Sequence, residues 1–386
     1  MRIAFLTPEF SSELRDAGGL ASYLDRTAQA LRALGHEPEI FTAAQASGVI
    51  DWRGLRVERV PVAPQGGALA RGLARLGLGR SGADLRSARA LAAALERRHR
   101  ERPFAAVQSA NYRVPGFWLA ARRGRPHALR LSSLAPIWTR ERGRRPTRAD
   151  AAEAWLERRA LRRADLLYAP SAWLASRAAD ALGRPVPVIR PPFFLDHEPD
   201  KAAAAGLPRR FLLHAGKPGR IKGSDRLAAA LPRAWEREPE LALVICGRPS
   251  PALARRCAEL WGSRAAQVRW LPPQPRPQLL GILAAASALV AVSRADNLPN
   301  LALEALALDV PLVAHRGASF DELVRDGENG RLVDADDAPA LAAALLEAWR
   351  GQGPFAGGRL PRGPIWDELA PEPAARRLLR LLETGA

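Results

Sequence analysis

The sequence predicts an α/β protein with two similar halves, each built on a parallel sheet. Short apolar runs alternate with longer stretches of helical periodicity, and this alternation is typical of βαβ units. The series is interrupted once, where RPPFF is followed by a polar DHEPDKAAAAG segment, and it then starts again. The 386 residues also suit two domains of ordinary size better than one. We therefore expect two α/β domains around a proline-rich hinge, with a cleft between them.

The first half opens on a buried strand, Ile3–Thr7, and a helix over Leu20–Leu34 that Gly35 ends in a left-handed cap. Short apolar runs predict five further strands: Glu39–Thr42, Phe104–Ser109, Ala128–Ser132, Leu166–Ala169 and Val186–Ile189. Periodic segments predict helices over Asp150–Arg163 and Ala172–Leu182. The polar linker between the halves is expected at residues 191–208.

The second half is predicted to contain six strands with helices between them. The strands are Phe211–His214, Leu241–Cys246, Val268–Leu271, Ala288–Val292, Leu312–Ala314 and Arg331–Val333. The glycine- and proline-rich segment 351–364 is expected to be a loop, and a last helix to cover Glu372–Glu383. Sites in sheets of this kind lie at the carboxyl ends of the strands, so the residues that follow each strand are the candidates for function.

Two basic stretches of the first half depart from this regular pattern. Ala68–Gly79 carries leucines, glycines and two arginines, and Arg140–Arg148 holds five arginines in nine residues. Each stretch alone is better interpreted as a solvated loop. Together they leave open a face that contacts anionic lipid or an anionic acceptor.

The composition is that of a globular protein, with 47% hydrophobic and 25% charged residues. The opening MRIAFLTPEF is too short an apolar run for a signal peptide, and no segment reaches the length of a membrane span. Cys246 ends an apolar run, so we expect a buried free thiol there and not a disulfide or a metal ligand. A cytoplasmic location follows, with peripheral contact with the inner face of the membrane as an alternative.

The net charge of +18 allows several kinds of acidic partner, from anionic lipid to a nucleotide diphosphate. Only three of the 58 basic residues are lysines, namely Lys201, Lys217 and Lys222, so part of the charge reflects a bias toward arginine. No nucleic-acid partner is expected, because the chain contains no recognised nucleic-acid-binding module and its aromatic residues are sparse at 6%.

A glycine-rich basic loop follows the first strand of the second half, with the sequence HAGKPGRIKG. Gly216, Gly219 and Gly223 make its backbone permissive, while Lys217, Arg220 and Lys222 supply positive charge. A chain that uses arginine almost everywhere keeps two of its three lysines here. Lysine offers a compact point charge where arginine offers a planar fork, so the loop suits a diphosphate better than it suits chance placement on a solvated surface.

The stretch SRADNLPNLALEAL places polar residues between an apolar strand and an apolar helix. Asp296 lies in the loop, and Glu304 lies about a turn into the helix among leucines and alanines. A buried carboxylate at position 304 must be paired or hydrogen-bonded, and sugar hydroxyls are suitable donors. An exposed glutamate on an amphipathic helix is the alternative.

In the first half, Gly18-Gly19 precedes the first helix and lets backbone N–H groups approach an anion. The GxGxxG fingerprint of dinucleotide sites is missing from this segment.

Taken together, these segments resemble the family-4 retaining glycosyltransferases, which have the two-domain GT-B fold. The resemblance spans nearly the whole chain and is strongest over 211–333. Asp296 and Glu304 match the two carboxylates of the donor-binding signature, although the first is commonly Glu, and Glu322 matches the glutamate before the DGxNG turn. The phosphate-loop and N-terminal matches are Gly216, Lys217, Lys222, Gly18 and Gly19.

The resemblance implies two Rossmann-like domains that face each other across a cleft. The acceptor-side domain would cover residues 1–192 and the donor-binding domain residues 193–360, with a C-terminal segment 361–386 whose helix returns to the first domain. It also implies a retaining, metal-independent transferase without a cofactor. The donor would be a nucleoside-diphosphate sugar, and the acceptor a cell-envelope glycan, a lipid-linked intermediate or a small metabolite.

The residues assigned by this resemblance fall into three groups. Asp296, Lys217 and Lys222 are the catalytic candidates, which act by placement and charge stabilisation. The donor-binding candidates are Gly216, Lys217, Arg220, Lys222, Asn297, Leu298, Pro299, Asn300 and Glu304. The acceptor-side candidates are Gly18, Gly19 and Ser132, and further cleft candidates are Arg248, Arg294 and Glu322.

One departure from the family pattern supports a different function. Many relatives carry a histidine near the donor sugar where this sequence has Ser132, and His127 lies at the opposite end of that strand, where a structural role is expected. A GT-B-like binding or scaffold subunit that has lost catalysis is therefore the alternative to an active enzyme.

Overall fold

The computed structural model describes residues 1–13, 18–62, 68–119 and 125–384, apart from the side chains of residues 68–70. The chain divides into two compact units. The first unit comprises residues 1–140, 144–194 and 367–386, and the second comprises residues 141–143 and 195–366. Each unit is built on its own sheet.

The first unit contains a seven-stranded sheet in which only one pairing is antiparallel. The strands are β1 Arg2–Thr7, β2 Glu37–Ala44, β3 Gly48–Trp52, β4 Leu55–Pro61, β5 Ala106–Ala110, β6 His127–Arg130 and β7 Leu166–Tyr168. Their order is β3-β4-β2-β1-β5-β6-β7, and β3 runs antiparallel to β4. All residues of the central strand β1 are buried, as expected for a parallel strand with helices on both faces of its sheet. The order of strands reverses between β1 and β5, which is where ligands bind in sheets of this type.

The helices before the linker are α1 Gly19–Ala33, α2 Ala68–Arg75, α3 Gly79–Glu101, α4 Ala135–Glu141, α5 Arg148–Arg163 and α6 Ala172–Leu182. Thr147 caps α5 in a capping box with Asp150, which also accepts two hydrogen bonds from Arg144. The predicted strand and helix positions of this half are largely confirmed.

The second unit contains a six-stranded, fully parallel sheet. Its strands are β8 Leu212–Ala215, β9 Leu243–Cys246, β10 Val268–Leu271, β11 Ala288–Ala291, β12 Leu312–His315 and β13 Gly330–Val333. Its helices are α7 Ser224–Trp235, α8 Pro251–Trp261, α9 Arg276–Ala285, α10 Asn300–Ala307 and α11 Ala338–Arg350, and the order of strands is β10-β9-β8-β11-β12-β13. This is the Rossmann order, and it reverses between β8 and β11.

Two helices end the described chain, α12 Ile365–Leu369 and α13 Pro371–Thr384. Leucines spaced three and four residues apart give α13 one apolar face. Leu378 and Leu382 on that face join the core of the first unit with Ile3 and Leu24. The last helix therefore belongs to the core around β1, although it follows the second unit in the sequence.

Three sequence-based expectations for the first unit are wrong. Residues 48–61 form the hairpin of β3 and β4, which was not predicted because alternating charges interrupt its apolar positions. Val186–Ile189 makes only a bridge between Val188 and Ala169, since Pro185 and Pro187 cannot donate to a ladder. Ala68–Arg75 is a helix and not a loop.

The expected loop at Arg140–Arg148 is confirmed only in its middle, because its ends belong to α4 and α5. Cys246 is a buried free thiol, as predicted, and Cys257 is a buried free thiol as well. Among the helices that the structure describes, none combines the length and apolar character that crossing a bilayer requires.

Candidate active site

The loop between β8 and α7, residues 216–223, lies at the carboxyl edge of the second sheet. Two of its glycines have positive φ, at 123° for Gly216 and 73° for Gly223. A Cβ atom at Gly223 would lie 2.0 Å from the carbonyl oxygen of Val292 at the end of β11. The close approach of the two loops therefore requires glycine at this position.

A buried hydrogen-bond network fixes the same loop. His214 Nδ1 lies 2.9 Å from Val290 O and its Nε2 lies 2.9 Å from Ser224 Oγ, which in turn accepts a bond from Gly219 N. Burial lowers the pKa of His214, so that the ring stays neutral at pH 7 and serves as a spacer between β11 and α7.

Replacing Gly223 tests whether the close contact with Val292, and not only the positive φ, requires glycine at this position. Gly183 ends α6 with φ of 66° and has no atom within 4 Å of the position that a Cβ would take. We expect Gly183→Ala to cost about 1 kcal/mol of unfolding free energy, from the backbone angle alone. Gly223→Ala is expected to cost at least about 3 kcal/mol, because the clash is added. Equal losses in urea denaturation would show that Val292 does not constrain the loop.

The structure brings two of the catalytic candidates into direct contact. Lys222 Nζ donates to Asp296 Oδ2 at 2.6 Å, and this carboxylate also accepts bonds from Ser293 Oγ and from the backbone N–H of Asn297. Lys217, by contrast, is exposed and has no hydrogen-bond or ion-pair partner among the described residues. A cavity of about 30 Å³ borders Lys222, Asp296 and Pro299. The site thus offers one fixed and one free ammonium group.

Arg294 fastens the basic loop to the loop after β11. Its Nη1 donates to Arg220 O and to Asp225 Oδ1, both at 2.7 Å, and its backbone N–H donates to Ile221 O. Arg294 Nη2 also pairs with Asp336 at 3.3 Å. These contacts assign Arg294 a positioning role, whereas the Arg220 guanidinium extends toward solvent with a 3.7 Å pair to Asp225.

The segment Asn297–Asn300 leads into α10 through an unusual backbone. Leu298 has φ of +50°, and its N–H donates to Ser319 Oγ at 2.7 Å. Ser319 itself has φ of +66° and donates to Asp296 O. Non-glycine residues in this region cost on the order of 1 kcal/mol or more each, and such strain concentrates at functional sites.

Glu304 in α10 is fully buried, with 0% exposure. Its carboxylate forms an ion pair with Arg276, the first residue of α9, whose side chain is 28% exposed. The predicted buried environment of Glu304 is therefore confirmed, and the alternative of an exposed helix position is wrong. The carboxylate thus faces a cationic partner at the start of α9.

Two further candidates flank this arrangement in the second unit. Arg248 is exposed directly after β9, beside Gly247, where a Cβ would lie 2.1 Å from Gly216 O. Glu322 is half-buried at the end of the short 3-10 helix Phe320–Glu322, next to Ser319. In the described part of the chain, no three His, Cys, Asp or Glu side chains cluster as a metal site would need.

In the first unit, Gly18 is the N-cap of α1 and Gly19 is the first residue of this helix. A Cβ at Gly18 would lie 3.2 Å from Glu9 Oε1, so the pair keeps this carboxylate close to the helix start. Burial raises the pKa of Glu9, while Arg113 opposes the shift. The start of α1 therefore lies beside a carboxylate that takes up protons more readily than usual.

Ser132 lies in the loop after β6, which a second buried network holds. Its N–H donates to Asn111 Oδ1 at 2.7 Å, and Asn111 Nδ2 donates to Glu157 Oε1 at 2.6 Å. Burial raises the pKa of Glu157 to about 8, and bonds from Ala135 N and Asn111 only partly offset this.

His127 at the start of β6 has a structural role, as expected. Its Nε2 lies 2.8 Å from Ser109 Oγ, and burial lowers the pKa of the ring to about 4.

Comparison with known proteins decides the family. The family described as Glycosyl transferases group 1 matches residues 209–350, and the Glycosyl transferase 4-like domain matches residues 18–192. A D-inositol 3-phosphate glycosyltransferase from Streptomyces scabiei is 31% identical over 371 residues, which cover 86% of this chain and 78% of that protein. The chain belongs to the group 1 glycosyltransferases.

This group 1 glycosyltransferase also resembles solved structures along its whole length. Sucrose-phosphate synthase from Thermosynechococcus elongatus gives a TM-score of 0.76 at 20% identity, with 98% of each chain covered. Anabaena HepE in complex with UDP-glucose gives 0.65 at 17% identity, with 100% of each covered. At these identities the likeness concerns the fold, and it confirms the predicted GT-B class. Relatives from Corynebacterium match over only about a third of their length.

Sequence inspection missed several residues of this glycosyltransferase that the structure brings to its candidate site. Arg276, Asp225 and Ser319 contact residues of the candidate site, and each is separated in sequence from the residue it contacts. The sequence indicates Ser319 only weakly, through its place in the Gly317-Ala318-Ser319 turn shortly before Glu322. Arg276 follows three prolines in a segment without a motif, and nothing in the sequence indicates its partner.

Proposed function

We propose that the chain is a retaining, metal-independent hexosyltransferase that uses a UDP- or GDP-sugar donor. One observation carries the proposal. The basic glycine-rich loop after β8 and the loop after β11 meet at the reversal of strand order, where Lys222 and Asp296 pair at 2.6 Å. Nucleotides bind at such reversal points. The loop supplies ammonium groups for a diphosphate, and the helix that follows supplies a buried carboxylate for ribose hydroxyls.

The proposed reaction breaks the bond between the anomeric carbon of the donor sugar and the terminal phosphate oxygen. The acceptor hydroxyl forms the new bond on the same face of the sugar, and its proton passes to an oxygen of the departing phosphate. Lys217 and Lys222 would stabilise the negative charge that develops on the diphosphate. Asp296, held by Lys222 and Ser293, would orient the hydroxyls of the transferred sugar.

The acceptor is proposed to be a glycan, a lipid-linked intermediate or a small metabolite. The name of the Streptomyces relative includes an inositol phosphate, which favours a small hydroxylic acceptor. We place the enzyme in the cytoplasm, and its net charge of +18 supports peripheral contact with anionic membrane.

A thermal-shift screen tests the donor proposal. We expect UDP or GDP, but not both equally, to raise the unfolding midpoint, since a ligand at 100 times its dissociation constant adds about 2.7 kcal/mol. The shift should persist in EDTA, and the anomeric configuration of the product should match that of the donor. No shift with UDP, GDP, ADP or their sugar conjugates would contradict the proposal. Binding without turnover on any acceptor would instead favour the scaffold subunit.

A further inference from the structure

Arg130 is a buried arginine at the carboxyl edge of the first sheet. It is the last residue of β6 and is 7% exposed. Its Nη1 donates to Ser132 Oγ at 2.9 Å, and its Cζ lies 3.8 Å from the centre of the Tyr23 ring in α1. Its Nε is buried and has no hydrogen-bond partner. The guanidinium is therefore only partly satisfied.

No described residue supplies a negative charge to this guanidinium. In the part of the chain that the structure describes, no carboxylate lies within 4.0 Å of it, and it contacts Ser132 and the Tyr23 ring. The hydroxyls of Tyr23 and Tyr168 bond to each other at 2.8 Å, and burial raises the pKa of Tyr168 well above its usual range. The phenol of Tyr168 therefore stays neutral and cannot supply the missing charge.

The arginine-rich composition does not account for this arrangement. Three other buried arginines each have an acidic partner: Arg2 pairs with Glu39, Arg125 with Glu96 and Arg226 with Asp336. A buried charge without a partner costs stability, and arginine does not escape the cost by losing its proton at neutral pH. Buried charged groups of this kind concentrate at functional sites, where a ligand can supply the missing charge.

The surroundings of Arg130 favour a ligand over a purely structural function. The side chain lies between the Tyr23 ring of α1, a helix that follows the N-cap Gly18, and Ser132 in the loop after β6. The first sheet reverses its strand order beside β5, the neighbour of β6, and ligands of parallel sheets bind at that edge. The Ser132 hydroxyl and the Tyr23 ring contact the cation without neutralising it.

We propose that Arg130 binds an oxyanion of the acceptor, so that the enzyme glycosylates a hydroxylic compound that carries a phosphate or carboxylate group. The assignment of the ligand as acceptor rests on the proposed function, whereas the anion site itself does not. The guanidinium would donate hydrogen bonds to this oxyanion, and such charge-assisted bonds are strongest in sites shielded from water.

The first test compares stability without ligand. Arg130→Met removes an unpaired charge and keeps the side-chain length, so its urea midpoint is expected to equal or exceed that of the wild type. Arg125→Met is the control in the same unit, because it removes a buried arginine that is paired with Glu96 and is expected to lower the midpoint. A loss in Arg130→Met as large as that in Arg125→Met would assign Arg130 a structural role and overturn the proposal.

The second test measures anion binding without any nucleotide. In a Lys217→Ala/Lys222→Ala background, which removes the lysines of the donor loop, inorganic phosphate or acetate is titrated against chloride at constant ionic strength. We expect one of these anions to raise the thermal midpoint saturably, Arg130→Met to weaken this response at least tenfold, and Arg130→Lys to restore part of it. A response that is absent, or unchanged by Arg130→Met, would overturn the proposal.

The two proposals fail separately. If no nucleotide shifts the midpoint but the anion response depends on Arg130, glycosyl transfer is contradicted and the anion site stands. If the enzyme transfers sugar, an acceptor and its dephosphorylated or decarboxylated analogue are compared. We expect Arg130→Met to raise KM for the anionic acceptor at least tenfold, with kcat and the KM of the neutral analogue much less affected. An equal effect on both acceptors would overturn the assignment.

Discussion

Glu304→Gln is expected to weaken nucleotide binding at least 100-fold and to leave the fold intact. The Glu304 carboxylate is completely buried in the middle of α10, so hydroxyl groups of a ribose that reach it would bond to a charge shielded from water. Hydrogen bonds to charged groups contribute about 1.5–3 kcal/mol each, and two of them account for a loss of this size. Isothermal titration with the nucleotide found in the thermal-shift screen gives the dissociation constants.

Glu347→Gln provides a matched control for this substitution. Glu347 in α11 also pairs with an arginine, accepting bonds at 2.7 Å from both Nε and Nη2 of Arg331. It lies in the same unit but outside the candidate site, so its substitution should leave nucleotide affinity unchanged. The Arg276 side chain is 28% exposed and can turn to water once its partner is neutral, which limits the stability cost of Glu304→Gln. Unchanged affinity in Glu304→Gln would remove Glu304 from the donor site.

The second unit could be predicted from the sequence more completely than the first. Its strands are short apolar runs bounded by glycine, proline and polar residues, and a parallel strand buried on both faces has this appearance. The hairpin of β3 and β4 lacks it, because β3 is largely exposed and its turn depends on positive φ at Arg53 and Gly54. This turn contains no proline and only one glycine, so the sequence has no clear pattern that predicts a hairpin here.

Pairings within the candidate site could not be predicted in the same way. The sequence singled out Lys222 and Asp296 as separate groups, but they lie 74 positions apart and meet only because β8 and β11 are neighbours in the sheet. The ion pair of Glu304 with Arg276 depends likewise on the packing of α9 beside α10. Arg130 is the clearest case of a site residue that the sequence does not predict. The lack of a counter-charge around it, among the described residues, arises only in the folded structure and produces no pattern in the sequence.

Lys222→Ala is expected to reduce kcat about 100-fold, and Lys217→Ala about 10-fold. Removing one preorganised group that stabilises developing charge typically costs 10²–10³ in kcat. Lys222 is held against Asp296 and is therefore preorganised, whereas the exposed Lys217 pays an entropy cost to reach the diphosphate. Lys201→Ala is the control, since it removes the third lysine of the chain, from the exposed 3-10 helix Lys201–Ala204, and should leave kcat unchanged.

Binding measurements then separate a diphosphate role of Lys222 from mere support of Asp296. If the ammonium contacts the terminal phosphate, Lys222→Ala weakens binding of the nucleoside diphosphate at least tenfold and leaves that of the monophosphate unchanged. If Lys222 only holds Asp296, both nucleotides bind as in the wild type, and Asp296→Asn reduces kcat as much as the double substitution does. The diphosphate role requires the double variant to be slower than either single one, because the leaving group then loses its charge stabilisation and the sugar its orienting carboxylate.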